Sequence, residues 1–104
     1  MTTSGSPDEA RKLARALVER RLAACVNIIL RISSVYRWQG EVEEAEEFLL
    51  LIKTTEAAFE RVRQTIRELH SYELPECIAI AVEDGSAEYL QWFAQSLVKE
   101  EPTQ

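Results

Sequence analysis

The stretch Glu47-Phe-Leu-Leu-Leu-Ile-Lys-Thr-Thr55 limits what this chain can become more than any other. As a strand it sends Phe48, Leu50 and Ile52 to one face of a sheet and Leu49 and Leu51 to the other, because side chains alternate with period two. Both faces are then apolar. A chain of 104 residues forms one domain with one principal core. It has little material with which to cover a sheet twice.

The elements around that strand can be read from periodicity and caps. Ser6-Pro7-Asp8-Glu9 starts a helix: Ser6 caps, Pro7 suits the first position, and Glu9 completes a capping box. Ala10, Leu13, Ala14, Leu17 and Val18 follow at helical spacing to about Arg21. From Cys25 to Trp38 the pattern is that of a strand, with its phase broken near Arg31–Ser34, which predicts a bulge. Gln39-Gly40 is a turn, so Glu41 to Lys53 returns as the second arm of a long hairpin. Thr54-Thr55 opens a second helix with Phe59, Val62, Ile66 and Leu69 as its stripe. Glu76 to Val82 reads as a short third strand. Asp84-Gly85-Ser86 then caps a third helix carrying Tyr89, Leu90, Phe93 and Leu97. Residues 1–5 and 100–104 are expected to be flexible tails of a single domain spanning 1–104.

The order is α-β-β-α-β-α, an α+β chain. Right-handed crossovers place both main helices on one face of the sheet. Ile29, Leu49 and Leu51 are then left on the bare face, and burying each such side chain is worth about 1.5–3 kcal/mol. Other copies of the chain are the expected cover. The third helix folding across the sheet is the alternative.

Composition excludes several function classes. Twelve basic against eighteen acidic residues give a net charge of −6, which disfavours nucleic acid, whose phosphates need a clustered positive surface. No apolar run approaches a membrane span. The segment MTTSGSPDEA lacks the apolar core of a secretory signal. Two well-separated cysteines, Cys25 and Cys77, fit reduced thiols in the cytoplasm. The three glycines are not grouped as a phosphate-cradling loop requires.

Five segments together resemble the CutA family of divalent-cation tolerance proteins, in order and spacing over roughly residues 7 to 97. They are Ala14-Arg-Ala-Leu-Val-Glu-Arg-Arg-Leu-Ala-Ala-Cys-Val-Asn27, Ser34-Val-Tyr-Arg-Trp-Gln-Gly-Glu41, Leu51-Ile-Lys-Thr-Thr55, His70-Ser-Tyr-Glu-Leu-Pro-Glu76 and Tyr89-Leu-Gln-Trp92. The resemblance implies a ferredoxin-like split βαβ sandwich and a non-enzymatic homotrimer, similar in architecture to PII signalling proteins. It also implies cation binding at the positions matching Cys25, His70 and Glu76. No cofactor is required, and imidazole with thiolate suits copper among divalent cations. Tyr36, Trp38, Lys53, Tyr72, Tyr89 and Trp92 are the candidates for a pocket or packing layer between subunits. An enzyme using a cleft of Lys53, His70 and Glu76 is the weakest reading, since nothing in the spacing marks a catalytic set.

The sequence departs from the family in two ways. The apolar first strand is missing, with Met1-Thr2-Thr3 its only remnant, so the strands ending at Lys53 and starting at Glu76 are expected to close up as a parallel pair or to accept another chain. Leu30-Arg31 and Ile80-Ala81 replace the family's Pro-Gly and Leu-Pro, which predicts more regular strands. These departures leave a second reading open: a reworked, engineered scaffold presenting a new interface to a protein partner.

Overall fold

The computed structural model describes residues 1–97. The expected frayed end at 100–104 lies outside them. The elements are β1 (Thr2–Ser4), α1 (Pro7–Glu19), β2 (Cys25–Trp38), β3 (Glu41–Lys53), α2 (Phe59–Leu69) and α3 (Ala87–Gln95). The three strands form one antiparallel sheet in the order β1-β3-β2.

The vacant slot expected beside β3 is filled by β1. Thr2, Thr3 and Ser4 pair with Leu50, Leu49 and Phe48, and all three are buried. This stretch is therefore a strand and not a flexible tail. The expected pairing of the strand ending at Lys53 with residues 76–82 does not form. Met1 stands between them and exchanges two backbone bonds with Ile78, its amino group donating to the Ile78 carbonyl at 2.6 Å and its carbonyl accepting the Ile78 N–H at 3.1 Å. Beyond that contact the segment has no strand partner among the described residues. Glu76–Val82 is accordingly not a strand, and Ile80 and Val82 are exposed.

Helix α1 begins as its sequence demands. Ser6 Oγ accepts the Glu9 N–H at 3.1 Å. The end is a Schellman turn: Leu22 N–H reaches Leu17 O at 2.9 Å and Arg21 N–H reaches Val18 O at 3.0 Å, with Arg21 left-handed at φ +57. Leu22 and Leu17 then pack in one core cluster with Ala23, Val62 and Ile66. A second cluster joins Ala10 and Leu13 of α1 to Leu50 of β3, flanked by Val26, Ile28, Phe48, Ile52 and Leu69. Both helices thus cover the face carrying Phe48, Leu50 and Ile52, as side-chain parity requires.

The hairpin closes with Gln39 at φ +50 and Gly40 at φ +84 between the paired Trp38 and Glu41. Two left-handed central residues define a type I′ turn, whose twist suits the flanking strands. The register of β2 against β3 shifts between Ile29 and Ile32, where the broken phase predicted a bulge. The more regular strand expected from losing Pro-Gly does not follow: Arg31 adopts φ +57, a conformation that suits glycine better.

On the opposite face Ile29 pairs with Leu49 and Asn27 with Leu51. Ile29 is 42% and Leu51 37% exposed. Helix α3 does not close over them. It has no buried residue, and it meets the sheet where the Lys53 ammonium lies 5.7 Å from the Tyr89 ring centroid.

Candidate functional site

The bulge sets which hairpin side chains point together. Beyond it Ile32, Ser34, Tyr36 and Trp38 oppose Glu47, Ala45, Glu43 and Glu41. Directly opposed residues share a face, so Tyr36, Glu43 and Glu47 lie on the side of Leu49 and Thr3, away from α1. The loop after α2 crosses that side and brings in Tyr72. Between hairpin and loop lies a cleft of about 750 Å³, lined among others by Tyr36, Trp38, Glu43, Glu47, Tyr72 and Glu76.

Glu47 is the deepest charge in this cleft, only 7% exposed. Its Oε2 accepts the Tyr72 hydroxyl at 2.9 Å. Burial, followed by the Glu47 carboxylate, raises the Tyr72 phenol above the ordinary tyrosine range. Among the described residues no Lys or Arg forms an ion pair with Glu47.

His70 lies behind the cleft, its side chain fully buried. Nε2 is 2.6 Å from the Thr3 carbonyl oxygen, and Nδ1 accepts the Tyr72 N–H at 3.0 Å. A carbonyl only accepts, so Nε2 carries the proton and Nδ1 is the acceptor. Glu9 extends the network. It accepts from Ser4 Oγ at 2.7 Å and from the Ser71 N–H at 3.0 Å, with Oε1 3.6 Å from His70 Nδ1. Burial pushes the Glu9 carboxyl up, but the bonds from Ser71 and Ser4, with the His70 ring beside it, outweigh burial and leave it below its ordinary value. The expected capping box is therefore half formed. Ser6 caps, while the Glu9 side chain ties β1 to the loop instead.

The predicted site residues divide into separate places. Tyr36, Trp38, Tyr72 and Glu76 line the cleft. Lys53, Tyr89 and Trp92 form another group, with the Tyr89 and Trp92 ring centroids 5.4 Å apart. Cys25 opens β2 opposite Lys53. Cys77 packs against the first core cluster, and burial raises its thiol above the ordinary value, as for a small core residue. Cys25, His70 and Glu76 do not converge: among the described residues no group of three or more His, Cys, Asp or Glu could hold a metal ion. Both His70 nitrogens already have partners. The cleft beside the hairpin takes in Glu76 but neither Lys53 nor His70. The sequence reading missed Glu47 and Glu9. Glu47 shares the parity of Leu49 and Leu51, which is the signal that could have placed it on the inner side of the hairpin.

Fold and site together define a small α+β protein: helices on one sheet face, an apolar second face and a long hairpin whose cleft is walled by aromatic and acidic side chains. The family described as CutA1 divalent ion tolerance protein matches residues 1–96, and the chain belongs to it. The divalent-cation tolerance protein CutA of Thermus thermophilus is 48% identical over 96 residues, which are 92% of this chain and 93% of that one. The human protein CutA is 48% identical over 86 residues, 83% of this chain but only 48% of the human one. The solved Thermus thermophilus structure superposes with a TM-score of 0.91 at 47% identity, covering 93% of this chain and 94% of that one. That agreement bears out the ferredoxin-like reading. Nothing in these comparisons supports the reading of an engineered interface.

Proposed function

We propose that this chain acts as a non-enzymatic homotrimer in divalent-cation tolerance, holding copper at a boundary between subunits. Its membership of a family named for that tolerance supports the role. The observation that carries the assembly is the apolar sheet face. Ile29 and Leu51 stay exposed beside Leu49, and contiguous exposed apolar surface of this kind marks an interaction site. The boundary location follows from chemistry. Copper binds best to several nitrogen or sulfur donors, and the described residues of one protomer do not converge as such a set. Cys25 and Glu76 keep their donor atoms free of the His70 network, and a second protomer could complete the coordination.

Analytical ultracentrifugation combined with copper titration tests this. The expected particle has three times the 11.9 kDa chain mass and binds copper in a fixed ratio per trimer. A folded single chain that binds copper equally well would overturn the proposal.

A further inference from the structure

We propose that the cleft between the β2–β3 hairpin and the loop after α2 binds a small organic cation of the alkylammonium class, with Glu47 as its counter-ion. The buried carboxylate is the first reason. Glu47 is 7% exposed, receives one neutral donor from Tyr72 and has no cationic partner among the described residues. Buried charges are ordinarily paired. Its Oε1 takes no hydrogen bond among the described residues, and Glu47 lines the open cleft.

The walls are the second reason. Tyr36, Trp38 and Tyr72 present aromatic surface to the same space as Glu47. Aromatic faces attract cations and also bury alkyl groups. Glu43 and Glu76 stand in the same lining and add negative potential without closing the cleft. Its volume, about 750 Å³, suits a small molecule. A bare metal ion fits poorly, because it needs several convergent donor atoms and no such group is formed here. An ammonium with an alkyl body satisfies the carboxylate and the rings together. Glu47 and Tyr36 share the sheet face of Leu49 and Leu51, so the inference requires that assembly through that face leave the cleft open, while copper and choline binding remain separate readouts.

Choline and its neutral carbon analogue 3,3-dimethylbutan-1-ol test it by calorimetry on the full chain. Choline is expected to bind once per protomer with a dissociation constant below about 1 mM, and the alcohol at least about tenfold more weakly. Glu47→Gln should weaken choline about tenfold or more. Tyr36→Leu, at a partly exposed wall position, should weaken it several-fold while the fold is kept, so the proposal stands or falls even if the Glu47 variant unfolds. In a Trp92→Phe chain, choline should perturb the fluorescence of Trp38. Equal affinity for the alcohol, no saturation by about 10 mM choline, unchanged affinity in Tyr36→Leu, or copper displacing choline with the same Glu47 dependence would each overturn it. Filling of the cleft by a second copy of the chain would read as absent choline binding and count against it.

Discussion

The imidazole Nε2 of His70 lies 2.6 Å from the carbonyl oxygen of Thr3, 67 residues away in the chain. That bond anchors strand β1, at the edge of the sheet, to the end of α2. The same ring holds the Tyr72 N–H through Nδ1, and Tyr72 in turn reaches Glu47. The single histidine therefore organises the cleft from behind. Replacing it by alanine leaves the Thr3 carbonyl and the Tyr72 N–H without their partners, at a cost of about 2–4 kcal/mol. Urea unfolding of His70→Ala should show that loss. A variant as stable as the parent but with weakened copper binding would return His70 to the role of ligand.

Glu9 makes stability depend on acid. Its carboxyl is held below the ordinary value of 4.5 in the folded chain. The unfolded chain thus takes up the proton first as pH falls, and protonation favours unfolding. The contribution is fully present above about pH 4.5 and is lost as pH drops through the lower, folded value. Glu9→Gln should be less stable than the parent at neutral pH and should converge with it toward pH 3. Parallel melting-temperature curves across that range would contradict the assignment.

Thr2 carries the clearest defect in the sheet. Its Oγ1 is buried with no hydrogen-bond partner among the described residues. Valine has the same shape without the hydroxyl, so Thr2→Val should stabilise the fold by about 1–3 kcal/mol. Thermal unfolding reads this directly, and a fall in melting temperature would mean that the hydroxyl is satisfied in solution.

Local signals explain what could be read from sequence alone. The start of α1 was legible because Ser6 and Pro7 act within one turn, and a bulge because the parity shared by Val26, Ile28, Leu30 and Ile32 becomes mixed after Ser33-Ser34, although the register shift itself falls between Ile29 and Ile32. The β1 strand was not, since Thr-Thr-Ser carries no apolar pattern and is held by Leu49, Leu50 and His70 from distant segments. The reverse applies to Glu76–Val82. Its alternation is strand-like, but a strand also needs a partner, and among the described residues only Met1 pairs with it. At the site, Tyr36, Trp38, Tyr72 and Glu76 were found as residue types, while Glu9 was misassigned because its local motif competes with the tertiary donors Ser4 and Ser71.

Two arginines occupy positions that suit glycine. Arg21 ends α1 at φ +57 and Arg31 forms the bulge at the same angle. Removing Cβ relieves the left-handed strain but increases the entropy of the unfolded chain. Arg21→Gly and Arg31→Gly should each gain about 0.5–1 kcal/mol. Arg31 lies well along β2 from the strand's start at Cys25, about 20 Å up an extended strand, so the double variant should show nearly the sum of the gains. Denaturant midpoints measure both, and a loss at Arg31 would show that its side chain makes a contact worth more than the strain.

The apolar sheet face gives the sharpest test of assembly. Leu51 pairs across the sheet with Asn27 and remains 37% exposed in the single chain. Placing a carboxylate there costs little in an isolated protomer, whose Leu51 already meets water. In a trimer the same change forfeits about 1.5–3 kcal/mol of burial per protomer and adds an unpaired charge to a dry interface. Leu51→Glu should therefore keep its helical and strand signal by circular dichroism while its mass falls to that of one chain. Sedimentation at matched concentration separates the outcomes. An intact oligomer would place the contact between copies elsewhere, with the exposed side chains of Ile80, Val82 and Trp92 the next surface to probe.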